Sequence, residues 1–124
     1  MAAAPEARGE PFDIQERTFR FGVRVVVVAG KLPRSIAAME IARQFIRAGT
    51  SVGANMEEAS EGLSRRNFLN HVRIARKEAK ESRYWLSIIR AADLSHDPEI
   101  DALREEASAL VRILTNIIKK TSTP

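Results

Sequence analysis

What a chain can fold into is limited most strongly by the spacing of its apolar residues, and here that spacing is helical in four separate stretches. In the first, Ile14, Thr18, Phe21, Val25, Val28 and Leu32 recur at alternating intervals of four and three, which places them on one face of an α-helix. The run Val25 to Val28 would also suit a buried strand. The repeat extends well past those valines, and no second strand-like segment exists to pair with them, so a helix is expected. In the second stretch the candidate seam is Ile36, Met39, Ala42 or Arg43, Ile46, Thr50, Gly53 and Ala59. The third has Phe68, Val72, Ala75, Ala79, Ser82, Leu86 and Ile89, and the fourth has Ile100, Leu103, Ala107, Leu110, Leu114 and Ile117 in a heptad-like repeat suited to bundle packing.

Start and stop signals divide these stretches. Pro33 stops the first, and Ser35 and Ser64 are N-cap candidates for the second and third. Gly62 stands where a left-handed residue closes a helix. Asp97-Pro98-Glu99 offers an acceptor at the N-cap, proline in the first turn and an acid near the positive end of the dipole. The expectation is an all-α chain, an up-down-up-down antiparallel four-helix bundle with helices over about 13–31, 35–61, 64–94 and 98–120. Residues 1–12, with Pro5, Gly9 and Pro11, read as a flexible N-terminal tail, residues 13–120 as one domain, and residues 121–124 as a C-terminal tail.

Length allows one core and no more, since a 124-residue chain is the size of a single domain. Only 6% of residues are aromatic against 44% apolar, so that core must be aliphatic and rich in alanine, which suits close-packed helices. The lack of cysteine removes disulfides, thiolate metal sites and thiol nucleophiles. The longest apolar run, Val25 to Ala29, is far shorter than a membrane span of about 20 residues. With no apolar signal core at the N-terminus either, the expected location is the cytoplasm.

Charge is concentrated in one place. Between Ser64 and Arg90 stand eight basic residues, Arg65, Arg66, Arg73, Arg76, Lys77, Lys80, Arg83 and Arg90, against the two acids Glu78 and Glu81. That excess of six exceeds the net charge of +4 of the whole chain. On a helical wheel Arg66, Arg73, Lys77, Lys80 and Tyr84 fall opposite Phe68, Ala75 and Leu86, which makes a positive ridge with one aromatic in it. Such a ridge attracts phosphates without base specificity. The bland alternative is a solvated face that keeps the bundle soluble.

The segment before it is small and uncharged. Gly49 and Gly53, with Ser51, Ala54 and Asn55 beside them, favour a tight helix-helix contact, either within one bundle or between subunits. Each glycine inside a helix costs about 1 kcal/mol relative to alanine, so close approach of another backbone is the expected compensation. Asn55, Glu58, Glu78 and Glu81 are candidates to face one another across the second and third helices. A di-metal site in a bundle wants Glu-x-x-His pairs, and neither His71 nor His96 stands three residues after a glutamate. Acids paired to arginine or lysine are the expectation there, with no metal and no cofactor. Ile74, Trp85 and Ile88 flank the third core stripe and suit either a wide core face or self-association. No phosphate loop, nucleophile elbow or triad pattern is present, which points away from an enzyme.

The segments FIRAGTSVGANMEEA and SRRNFLNHVRIARKEAKESRYWL together resemble the four-helix-bundle family of proteins encoded in intervening sequences of bacterial 23S ribosomal RNA genes. The resemblance runs from about Asp13 to Lys120 and is most specific from Arg47 to Ala59 and at Lys77, Glu78, Ala79, Glu81, Trp85 and Leu86. It implies a homopentameric ring, no known enzymatic activity and a suspected nucleic-acid-binding role. A related branch, the accessory variability determinant of diversity-generating retroelements, is a basic pentamer that partners a reverse transcriptase and its RNA. This chain departs from that branch in its modest charge and its acidic cluster Glu57, Glu58 and Glu61.

The resulting expectation is a non-enzymatic oligomer that contacts RNA or DNA through Arg65, Arg66, Arg73, Arg76, Lys77, Lys80 and Arg83. Gly49, Ser51, Gly53, Asn55, Glu58, Glu78, Glu81 and Trp85 are assigned to helix packing or oligomer contacts. The competing reading is a scaffold that docks a protein, such as a reverse transcriptase, without touching nucleic acid.

Overall fold

The computed structural model describes residues 13–122. Among them are four helices and no strand: α1 (Ile14–Ala29), α2 (Ile36–Ala59), α3 (Arg65–Ala91) and α4 (Pro98–Ser122). The expected tail at residues 1–12 lies outside the described residues, as do 123 and 124 of the expected C-terminal tail. Thr121 and Ser122 belong to the last turn of α4.

Each start is capped by a side-chain oxygen. Asp13 accepts from the Glu16 N–H at 3.1 Å, Ser35 from Ala38 at 3.1 Å, Ser64 from Asn67 at 3.0 Å and Asp97 from Glu99 at 2.9 Å. These bonds satisfy donors that a helix leaves orphaned in its first turn. At the other ends two residues take left-handed backbone. Gly62 has φ 68°, past the end of α2. Asp93 has φ 61° and closes α3, with the Leu94 N–H reaching the Ile89 carbonyl at 3.0 Å and the Asp93 N–H reaching Arg90 at 3.1 Å. This Schellman closure ends α3 at Ala91, a few residues short of the expected boundary near Leu94, because the chain reverses around Asp93.

Side-chain pairs give the directions of the helices. Arg17 and Arg24 of α1 reach Glu106 and Glu99 of α4, so those two run antiparallel. Along α3 and α4, Arg76 meets Thr115, Arg83 meets Ser108 and Arg90 meets Asp101, one heptad apart each time and in opposite senses. Gln15 with Ser60, and Asn55 with His71, show the same for α1/α2 and α2/α3. The helices therefore go up, down, up, down. Contacts join α1 to α2, α2 to α3, α3 to α4 and α4 to α1, which leaves α1 and α3 on opposite corners.

The core is aliphatic with two phenylalanines, Phe21 and Phe45, fully enclosed. On α1 the expected stripe from Thr18 to Leu32 is buried, and on α3 the one from Val72 to Ile89. On α2 the expected seam needs correcting. Ile36 is 91% exposed and Met39, Arg43 and Thr50 face solvent, while Ala38, Phe45, Ala48, Gly49, Val52, Met56 and Ala59 point inward. The true face is rotated by roughly a third of a turn from the expected one. Two stripes of similar hydropathy run along α2, and the small residues that let α1 approach select between them. On α4 the seam drifts at its end, where Ile118 is buried and Ile117 is half-buried.

Candidate nucleic-acid interface

α3 carries its charge on three sides, because the helix rotates about 100° per residue and is packed against two neighbours. Arg66, Arg73, Lys77 and Lys80 stand on the outer face and are exposed. None of the four is paired with a carboxylate among the described residues. Tyr84 shares this face, 57% exposed. Its ring meets Trp85 edge to face, with centroids 5.1 Å apart and planes at 71°.

Arg65, Arg76 and Arg83 occupy a different side, along the seam with α4. Arg65 donates from Nε and Nη2 to the Thr121 carbonyl at 2.9 and 2.7 Å. That carbonyl lies at the C-terminus of α4, where a cation complements the dipole. Arg76 donates to Thr115 Oγ1 and Arg83 to Ser108 Oγ, each at 3.2 Å. The partners of Arg76 and Arg83 are neutral hydroxyls, which hold those two guanidinium groups in place without neutralising their charge.

The third side faces α2 and bears the acids. Glu78 is buried, with 8% of its surface exposed, and its Oε1 lies 3.7 Å from Arg47 Nη1 without a hydrogen-bond partner. Glu81 pairs closely with Arg47 Nη2 and accepts from Trp85 Nε1 at 3.0 Å. Trp85 is half-buried and packs against the core. Asn55 Oδ1 meets His71 Nδ1 at 3.2 Å, and Asn55 Nδ2 donates to the Ser51 carbonyl at 2.9 Å. Ser51 Oγ in turn donates to the Arg47 carbonyl at 2.7 Å. Glu58 is exposed and does not join this group. Among the described residues no cluster of three or more histidine, aspartate or glutamate side chains could hold a metal ion.

Gly49 and Gly53 face α1. A Cβ on Gly53 would lie 3.2 Å from the Thr18 carbonyl oxygen, and the backbone of Gly49 and Thr50 passes opposite Gly22. Gly22 was not among the expected packing residues. It sits one α1 turn from Thr18 and Val25, and only the partner helix shows why it is glycine. Two further cations and one apolar face are not evident from the helical stripes alone. Arg104 and Arg112 of α4 face the α3 cations across the seam, and α1 carries a second apolar face opposite the core. That face consists of Phe19, Val23, Val26 and Val27, with Phe19 63% exposed. The spacing of those residues was a legible signal, at intervals of four, three and one.

The family model of the 23S rRNA-intervening sequence proteins matches residues 10–116. The chain belongs to that family. A crystal structure of an S23 ribosomal protein family member of unknown function from Bacteroides thetaiotaomicron VPI-5482 is similar, with a TM-score of 0.80 at 30% identity. The similarity covers 86% of this chain and 99% of that one. No curated protein matches. In this member of the intervening-sequence family, then, the four-helix architecture is shared with a solved relative. Among its described residues no helix is long and apolar enough to cross a membrane.

Proposed function

We propose that this intervening-sequence protein is a cytoplasmic, non-enzymatic oligomer that holds RNA or DNA phosphates on the outer face of α3. One observation carries the reading: Arg66, Arg73, Lys77 and Lys80 stand exposed and unneutralised, while the acids of the same helix, Glu78 and Glu81, are turned to the other side and occupied by Arg47. Solubility alone would be served as well by interleaved charges of both signs. A single-sign ridge concentrates potential where a polyanion would approach.

The oligomer is a homopentameric ring in which the outer face of α1 supplies one side of the head-to-tail contact that a closed ring requires. Its support is the row of exposed apolar residues on that helix, larger than single scattered surface side chains need explaining. Because α1 and α3 lie on opposite corners, copies joined through α1 keep their basic ridges open, and weak patches repeated round a ring bind multivalently. The same apolar row supports the alternative, a scaffold docking a protein partner such as a reverse transcriptase.

Converting Arg66, Arg73 and Lys77 together to glutamate tests the reading. Binding to a mixed pool of structured RNA is expected to be lost with the fold intact, and wild-type affinity is expected to fall steeply with salt. Retained binding, or affinity indifferent to salt, favours the scaffold.

A further inference from the structure

Between α3 and α4 runs an open groove of about 1070 Å³, and its lining differs from the ridge beside it. Lys80 and Tyr84 belong to both surfaces, since they stand at the border between the outer face of α3 and the groove. From the far wall come Arg104 and Arg112 of α4, and from the floor Arg83. Against these cations stand Asp101 and Glu105. Asp101 is already taken by Arg90 and Arg104, at 3.1 and 3.4 Å. Arg104 Nε is buried without a hydrogen-bond partner, although its Nη1 is anchored. Ser87 and Ser108 add hydroxyls to the same walls.

Resting on the phosphate-binding reading above, we infer that this groove is the path of a single-stranded nucleic acid, with one base stacked on Tyr84 and the backbone phosphates held by Lys80, Arg83 and Arg112. Three features select this ligand. Tyr84 is an exposed ring among cations, packed at a steep angle against Trp85, which is the arrangement of a stacking platform. The floor is the seam between the packed helices α3 and α4, and cations from both line its walls. A duplex keeps its bases paired within the stack and leaves none free for Tyr84, whereas an unpaired strand exposes them. The stretch from Lys80 to Arg90 spans about 15 Å of helix, enough for a short run of nucleotides. Any base can stack, so the sequence preference is weak.

An acidic peptide would satisfy the cations equally but would make no use of an aromatic face. That difference decides the test. The full-length protein is titrated with a labelled single-stranded RNA, its DNA counterpart, the corresponding duplex and polyglutamate, for the wild type and for Tyr84→Phe, Tyr84→Ala, Arg112→Glu and the Arg66, Arg73 and Lys77 triple glutamate variant. Trp85, the single tryptophan of the chain, lies against Tyr84 and reports stacking by its fluorescence. Single strands of either sugar are expected to bind more tightly than the duplex and to change the Trp85 emission. Tyr84→Ala should weaken them by roughly tenfold or more, with Tyr84→Phe near wild type and Arg112→Glu weakened. If Tyr84→Ala and Arg112→Glu bind like the wild type while the triple variant fails, the groove assignment is overturned and the ridge reading survives. Equal binding of polyglutamate, or of the duplex, also overturns it. Absence of binding by any nucleic acid to the wild type overturns both.

Discussion

Gly49 and Val25 share the crossing point of α1 and α2 so closely that a methyl group on Gly49 would stand 2.7 Å from both γ-carbons of Val25. The valine is fully buried and part of the core, so it cannot swing into solvent. Gly49→Ala gains helix propensity of about 1 kcal/mol and loses more to overpacking, which costs about 1–3 kcal/mol. Chemical denaturation should show a net loss. In a double-mutant cycle with Val25→Ala the two changes should couple by about 0.5–3 kcal/mol, since the second makes room for the first. Additive effects would mean that the contact does not limit the crossing.

Arg47 is the only cation that reaches both Glu78 and Glu81 among the described residues. Because Glu78 is buried and one of its oxygens lacks a hydrogen bond, Arg47→Met should destabilise the bundle by about 1–3 kcal/mol, the range for a buried polar group left without a partner. Arg43→Met, which removes an exposed pair with Glu40 at 3.4 Å, should cost well under 1 kcal/mol. Adding Glu78→Gln to Arg47→Met should recover part of the loss, as read by thermal unfolding at constant pH.

The fork of Arg24 onto Glu99, at 2.7 and 3.0 Å, fixes a pH dependence. Its hydrogen bonds hold the Glu99 carboxyl below the ordinary carboxylate value of 4.5, with desolvation opposing, and raise the Arg24 guanidinium further above its own. A depressed carboxylate contributes stability above its unfolded value and loses it as pH falls through the folded value. The wild type should therefore lose stability as pH falls through and below the ordinary carboxylate value, and Glu99→Gln should lose less over the same acid range. Arg24 stays charged throughout. Parallel melting curves for the two proteins across the acid range would refute the assignment.

Self-association through α1 makes a separate prediction. Val23→Glu with Val27→Glu places charges on exposed positions outside the core, so the monomer fold should persist with ellipticity unchanged. Light scattering should report a lower mass than for the wild type. An unaltered mass would exclude this face as the oligomer contact.

How much of this was visible in the sequence varies from helix to helix. The stripes of α1 and α3 were legible because their apolar residues are large and their polar faces unambiguous. The caps Ser35 and Ser64 and the closing Gly62 were legible because each answers a local backbone demand. The α2 face was misplaced because Ile36, Met39 and Ile46 form a second apolar stripe beside the true one of Phe45, Val52 and Met56, and the small residues that decide between them carry little hydropathy signal. Within the candidate interface, wheel geometry separated Arg66, Arg73, Lys77 and Lys80 from the core. That Arg65, Arg76 and Arg83 are committed to α4 depends on partners 56, 39 and 25 residues later in the chain, beyond the reach of a wheel.

By itself, then, the sequence determined what local forces decide: four helices, their capped starts, the basic character of α3 and the absence of thiol chemistry. Periodicity and capping act within one or two turns, so they are written within one or two turns. Only the tertiary structure decided which face of α2 is buried, why residue 22 is glycine, that Arg47 serves Glu78 and Glu81, and that Arg104 and Arg112 stand across a groove from Lys80 and Tyr84. Each of those facts depends on the closeness of a second helix, and that distance is set by the packing of the whole core.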